Sequence, residues 1–94
     1  MTKENLNNLE SIILRWVSYD YEKIEYIEGN ISSDYGKKVS PFDIHGTLLK
    51  LQSKGLVNSY YYSDQDNKFI KQKPFGGYPE KEIYWYISKT GNKQ

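Results

Sequence analysis

Lysine is the residue type that most clearly indicates a chemistry in this 94-residue chain, because the lysines are unevenly distributed. Residues 37–94 hold ten lysines against five acidic residues, whereas residues 1–36 hold three basic residues against seven acidic ones. An ammonium group neutralises a phosphate, so a basic half in a chain of net charge +1 indicates a surface that faces a polyanion. Ordinary solvated lysines are the alternative, and charge alone does not decide between the two.

Other kinds of chemistry have few residues to support them. The chain has no cysteine and a single histidine, which excludes disulfides, thiolate catalysis and multi-histidine metal sites. Acidic pairs such as Glu22 and Glu25 have the spacing of a solvated helix face, and no nucleophile with a neighbouring base can be assembled. We therefore expect no enzyme activity, no catalytic residue, no metal and no cofactor.

Length and composition indicate one small folded domain over residues 1–94. Hydrophobic residues make up only 37% of the chain, but ten tyrosines can supply buried area while keeping a polar tip. No stretch approaches the roughly 18 apolar residues that a membrane helix needs. The first residues lack the basic-then-apolar pattern of a signal peptide. We expect a cytoplasmic protein with no membrane contact and no identifiable small-molecule ligand.

Two helices are predicted in the acidic half of the chain. Spacings of three and four predict helix 1 over roughly residues 4–18, with a stripe formed by Leu6, Leu9, Ile13, Trp16 and Val17. A second stripe predicts helix 2 within about 21–36 and consists of Ile24, Ile27, Ile31 and Tyr35. Gly29 interrupts this segment at a cost of about 1 kcal/mol relative to alanine. A break at Gly29, with a new short helix from Ser32 or Ser33, is therefore the alternative.

A third helix is predicted over about 41–54 from its cap residues. Ser40 is a favourable N-cap, Pro41 suits the first helical position, and Asp43 lies three residues after the cap. The buried stripe would consist of Ile44, Leu48 and Leu51. Gly55 is expected to end the helix in a left-handed conformation, with Leu56 packing back on the last turn.

The last third of the chain predicts a β-hairpin over about 57–88. Strand-favouring residues fill 57–62 and 82–87. A polar turn cluster at 63–67, the segment 68–73 and the Pro- and Gly-rich segment 74–79 are expected to form a long loop between these two strands.

The order of these elements resembles a winged helix-turn-helix domain. The resemblance depends on Ser40-Pro41, Ile44, Thr47-Leu48, Lys50-Leu51, Lys54-Gly55-Leu56-Val57 and the segment from Tyr84 to Gly91. The chain is most similar to PadR-like and MarR-like transcriptional regulators. Small winged-helix proteins of this length also occur among archaeal, plasmid and viral regulators. The resemblance implies an α+β fold, in which a three-helix bundle is followed by a β-hairpin wing.

The same resemblance implies a set of DNA-binding residues, with helix 41–54 in the major groove and the wing on the backbone or minor groove. The residues carried over by position are Lys37, Lys38, Ser40, Phe42, Asp43, His45, Gly46, Leu49, Lys50, Lys54, Lys71 and Lys73. Lys50 and Lys54 are expected to point away from the buried stripe. His45 could instead be an exposed polar residue on the helix flank. Gly46 could allow either a close approach of phosphate or close packing on a neighbouring helix.

Two kinds of partner follow from these expectations. The first is double-stranded DNA, bound by a homodimer that forms through helix 1 and residues 19–31, where Tyr19, Tyr21 and Tyr26 offer contact area. Packing within the protein is the alternative for these tyrosines. The second is another protein, since some winged-helix domains serve as protein-protein interaction modules without DNA binding. The near-neutral net charge favours this alternative.

Overall fold

Three helices are followed by a three-stranded antiparallel sheet, which makes the chain an α+β protein as expected. The structure is a computed structural model, and it describes residues 6–71 and 83–93. The elements are α1 (Asn8–Trp16), α2 (Ile24–Tyr35), α3 (Pro41–Ser53), β1 (Val57–Ser63), β2 (Lys68–Lys71), β3 (Tyr84–Ile87) and a final 3₁₀ turn (Gly91–Lys93).

Helix α1 is shorter than the predicted range of 4–18. It begins at Asn8 because the side chain of Asn7 accepts a hydrogen bond from the Glu10 amide (2.8 Å), while the Glu10 carboxylate accepts one from the Asn7 amide (2.9 Å). This reciprocal capping box fixes the first turn of the helix. At the other end the chain turns after Trp16. Residues 1–5 lie outside the described part of the chain.

Helix α2 is continuous through Gly29, so the alternative of a break at that residue is wrong. Its stripe of Ile24, Ile27 and Ile31 is buried in the core, and this packing outweighs the unfavourable glycine. The helix ends as predicted at Gly36, which has a φ of +83° and donates its amide to the carbonyl of Ser32 (2.8 Å).

Helix α3 has the predicted caps at both ends. The Ser40 hydroxyl accepts a hydrogen bond from the Asp43 amide (3.1 Å), and Pro41 is the first helical residue. Gly55 has a φ of +77°, and the Leu56 amide bonds back to the carbonyl of Leu51 (2.9 Å), which is the Schellman arrangement. The helix ends at Ser53, one residue before the predicted end.

The sheet has the order β2-β1-β3, so the prediction of a simple two-stranded hairpin is wrong. The predicted pairing of β1 with β3 is confirmed, with Ser59 opposite Trp85. Residues 68–71, expected in a loop, instead form a strand on the other side of β1, with Ile70 opposite Tyr61. The segment 72–82, with the predicted Pro- and Gly-rich loop, lies outside the described residues.

The helices cover one face of the sheet and form the core with it. Each helix contacts the other two, and α3 also contacts β1. Trp85 of β3 faces this side and is 2% exposed. The residues that are fully buried with it are Ile13, Val17, Ile27, Ile31, Ile44, Leu48, Leu51, Leu56 and Val57.

The other face of the sheet carries a second layer of aromatic rings. Tyr21 stacks between Phe69 and Tyr86, with ring centroids 3.9 Å and 4.6 Å away. Tyr60 meets the Tyr21 ring edge-on. The residues before α2 reach this layer because Glu22 forms an isolated antiparallel bridge with Trp85. Tyr21 therefore packs within the protein, which is the alternative that the sequence leaves open for it.

The turn that follows β3 packs on the C-terminal cap of α3. The Ser88 amide donates to the carbonyl of Leu56 (2.9 Å), and the Ser88 hydroxyl donates to the carbonyl of Gly55 (2.6 Å). Gly91 donates its amide to the Ser88 hydroxyl (2.9 Å). A Cβ on Gly91 would overlap the carbonyl oxygen of Leu56, so this close approach requires glycine.

Candidate nucleic-acid interface

One side of α3 is exposed along most of its length, and we call it the outward face. It consists of Phe42, Asp43, Gly46 and Lys50, which recur at spacings of three and four. The buried stripe of α3 lies on the opposite side and packs into the core. From Phe42 to Lys50 the outward face is about 12 Å long at 1.5 Å per residue.

Phe42 and Gly46 give the outward face its shape. The Phe42 side chain is 85% exposed, in the first turn of the helix. One turn later, a Cβ added to Gly46 would meet no atom within 4 Å among the described residues, its own helix backbone and chain neighbours aside. Close packing on a neighbouring helix is therefore not the reason for a glycine at this position. The outward face consequently has a projecting ring next to an open stretch of backbone.

Cations lie before the helix and near its far end. Lys37 and Lys38 are exposed in the segment that leads into α3, and the Lys37 ammonium lies 5.4 Å from the centroid of the Tyr35 ring. The Ser40 hydroxyl accepts the capping bond and retains its own O–H as a donor. Together with Lys50 on the outward face, these side chains are groups that suit phosphate oxygens.

His45 and Leu49 lie between the outward face and the core. His45 is half-buried, and its ring centroid lies 6.1 Å from that of Trp85 in an edge-to-face arrangement. It is therefore neither on the outward face nor an exposed flank residue. Leu49 is partly buried against the core. Neither residue belongs to the outward face.

Lys54 does not point away from the core, and that prediction is wrong. Its ammonium group lies 3.3 Å from a carboxylate oxygen of Glu10, which is buried at the start of α1. Burial would raise the pKa of Glu10, but the Asn7 amide and the Lys54 and Lys50 ammonium groups outweigh burial and lower this pKa. The ion pair joins the start of α1 to the end of α3.

The wing lysines are also separate from the outward face. Lys71 lies opposite Tyr60 in the sheet, so its side chain projects on the aromatic side, away from α3. Ser59, the neighbour of Tyr60, projects on the α3 side and accepts a hydrogen bond from Gln52 of that helix (3.1 Å). Lys73 lies outside the described residues.

A second exposed surface lies on α1 and α2, and we call it the tyrosine surface. It consists of Tyr19, which is 77% exposed, Tyr26, which is 51% exposed, and the half-buried Trp16. Trp16 donates its indole N–H to Asp34 (2.8 Å) and contacts the Tyr26 ring edge-on. A cleft of about 340 Å³ opens beside it and is lined by Arg15, Trp16, Tyr19 and Asp34.

Sequence reasoning missed Glu10 and the aromatic layer. Glu10 had a local signal, since an Asn followed three residues later by Glu is a capping-box pattern. Its partner Lys54 is 44 residues away and had none. The aromatic layer was missed because Phe69 was assigned to a loop, whereas its place in β2 brings it against Tyr21.

Comparisons with known proteins do not assign the chain to a family. Among the helices of the described residues, none combines the length and apolar composition that crossing a membrane requires. No protein-family model matches the chain, and a search of curated proteins finds no significant match to it.

Proposed function

We propose that this chain is a winged helix-turn-helix protein that binds double-stranded DNA and regulates transcription, with α3 in the major groove. The observation that carries the proposal is the outward face of α3. It combines a well-capped helix, an exposed ring, an exposed backbone at Gly46 and the cation Lys50. Three helices followed by a sheet are compatible with the winged-helix layout.

The positive charge of the lysines near the outward face favours DNA over an uncharged partner. Lys37 and Lys38 precede this face and Lys50 lies on it, against the one carboxylate of the face, that of Asp43. In the proposal these lysines contact phosphates and fix the position of α3, while side chains on the first turns reach base edges. The strands β1 and β3 are the wing, and Lys71 and Lys73 are secondary contacts on the backbone or minor groove.

The salt dependence of DNA binding tests the proposal. A duplex is first selected from a random-sequence library at about 50 mM salt, and its affinity is then measured by fluorescence anisotropy as salt is raised. We expect a steep decrease in affinity with salt. Lys50→Ala should weaken binding and reduce the slope of log K against log salt by about 1.

Lys68→Ala is the matched control, since it removes the same charge. Lys68 is exposed next to the turn that carries Asp64 and Asp66, whose carboxylates oppose a phosphate contact. This variant should keep the affinity and slope of the wild type. Failure to select any duplex at low salt, or equal effects of the two variants, would refute the proposal.

A protein-protein interaction module is the second candidate function. It is favoured by the division of the lysines among the outward face, the Glu10 ion pair and the aromatic side of the sheet. The exposed rings of Phe42, Tyr19 and Tyr26 would suit an apolar partner surface. This candidate predicts no DNA binding at any salt concentration and a stable complex with another protein that is lost in Phe42→Ser.

We also propose that the protein forms a homodimer through the tyrosine surface. A two-fold contact brings the same patch of both copies together, so the patch must be complementary to itself. The cleft beside Trp16 carries both Arg15 and Asp34, so each copy can offer a charge of either sign to the other. The two exposed tyrosines supply contact area around these charges.

A further inference from the structure

Phe42 is the most exposed large apolar side chain among the described residues. Unlike the exposed tyrosines, it has no polar atom that water could solvate. Covering the ring with an apolar group would remove its surface from water, which is favourable. A partner that covers this ring therefore gains binding free energy at the first turn of α3.

The surroundings of Phe42 restrict what that cover can be. Lys37 and Lys38 precede the helix, and Lys50 follows two turns later, so the occupant carries negative charge around its contact. At the ring itself the neighbouring residue is Asp43, whose exposed carboxylate repels phosphate. The occupant must thus be anionic at its borders and uncharged with an apolar group at its centre.

Gly46 shows where the occupant can approach. It lies one turn after Phe42 on the same face, and open space surrounds the position of its missing side chain. A flat group that contacts the Phe42 ring can continue over the Gly46 backbone without meeting a Cβ. The backbone beside the ring is therefore accessible to the edge of a planar group.

Thymine in duplex DNA has this combination of properties. Its 5-methyl group is the apolar feature of the major groove, and apolar side chains such as Phe contact it. Phosphates border the groove on both sides. Lys37 and Lys38 before the helix and Lys50 on it can contact them. We infer that Phe42 reads a thymine methyl group, so that the bound site contains a thymine under the first turn of α3. This inference rests on the proposed DNA binding.

The test replaces thymine with deoxyuridine, which removes only the methyl group. In the duplex selected as above, each thymine is replaced singly, and affinity is measured by anisotropy at one salt concentration. We expect at least one position at which wild type loses about fourfold in affinity, the effect of one buried methyl-sized group at about 0.8 kcal/mol. Phe42→Ala should bind the thymine and deoxyuridine duplexes equally.

Two further variants test whether the discrimination depends on the apolar side chain at position 42. Phe42→Leu retains an apolar side chain and should keep part of the discrimination. Tyr62→Ala removes another exposed ring, on the far side of the sheet, and should keep all of it. Because Phe42 is so exposed, its variants are expected to keep the wild-type circular dichroism spectrum.

The possible failures are distinguishable. If wild type binds the selected duplex tightly but no deoxyuridine substitution weakens it, the methyl readout is wrong while DNA binding stands. The same conclusion follows if Phe42→Ala retains the discrimination. If no duplex binds at low salt, the proposed function fails, and the inference fails with it.

Discussion

A single carboxylate, that of Glu10, connects two helices. One of its oxygens accepts a hydrogen bond from the amide of Asn7, which closes the first turn of α1. The other lies 3.3 Å from the ammonium of Lys54 at the end of α3. Because the carboxylate is buried, removing either contact leaves a polar group that water cannot fully solvate. The position of α3 thus depends on the charge of one residue in α1.

Glu10→Gln should lower the free energy of unfolding at pH 7 by about 1.5–3 kcal/mol, the range for a hydrogen bond to a charged group. The pKa of Glu10 is lowered in the folded state. Its contribution is therefore fully present above the unfolded pKa of about 4.3 and is lost as the pH falls through the folded value. Urea unfolding followed by tryptophan fluorescence should show the two proteins converging in this acid range.

Other carboxylates do not obscure this comparison. Burial, and then the charge of Asp20, raise the pKa of Glu22, so ionisation of Glu22 opposes folding. That effect is common to the wild type and Glu10→Gln and cancels in their difference. Glu25→Gln is the control, since Glu25 is exposed in the first turn of α2 and its neutralisation removes only the helix-dipole contribution of about 0.3–1 kcal/mol. A Glu10→Gln difference that stays constant down to pH 3 would show that the charge is not responsible.

At the scale of the elements, α2 and α3 each contain one exposed glycine in their interior. Beyond the backbone of its own helix and its chain neighbours, a Cβ at Gly29 or at Gly46 would meet nothing within 4 Å in the described parts of the chain, 6–71 and 83–93. Glycine in a helix interior costs up to about 1 kcal/mol relative to alanine. Both positions therefore reduce stability without any packing reason, but only Gly46 lies on the outward face of α3.

Gly29→Ala and Gly46→Ala should each raise the free energy of unfolding, by up to about 1 kcal/mol. Only Gly46→Ala should weaken DNA binding, because its methyl group would lie between the α3 backbone and the DNA. Thermal unfolding and anisotropy on the same samples measure the two effects. Equal DNA affinity of the two variants would show that nothing approaches Gly46 closely.

The sequence predicts some elements better than others. The reason is how far apart in the sequence the interacting residues lie. Helix α3 was predicted almost to the residue because Ser40 and Gly55 act within one turn of its ends. Strand β2 was not predicted, because its short segment becomes a strand only by pairing with β1. The Glu10–Lys54 pair likewise depends on how α1 and α3 pack. As a result, the prediction that Lys50 points away from the buried stripe is confirmed, and the same prediction for Lys54 is wrong.

At the scale of the whole molecule, the proposed functions use different sides of the helical layer. The outward face belongs to α3, and the tyrosine surface belongs to α1 and α2, which carry most of the acidic residues of the first half. The exposed rings of Tyr19 and Tyr26 and the opposite charges of Arg15 and Asp34 suit a contact between two copies.

The double variant Tyr19→Ser/Tyr26→Ser should convert a dimer into a monomer, since it removes the two exposed rings of the tyrosine surface. Size-exclusion chromatography with light scattering, over a range of protein concentrations, gives the mass. Tyr62→Ser, which changes an exposed ring on the sheet, should leave the mass unchanged. A wild type that is monomeric at every concentration would contradict the proposed homodimer.

The turn after β3 determines how α3 meets any partner. Ser88 bonds to the carbonyls of Gly55 and Leu56, and Gly91 lies directly against Leu56, so the end of α3 and the end of β3 are held as one piece. A helix fixed in this way is preorganised: it does not have to be ordered or reoriented on association. Less of the contact free energy is then offset by lost conformational entropy, and affinity should depend mainly on the few side chains that α3 presents.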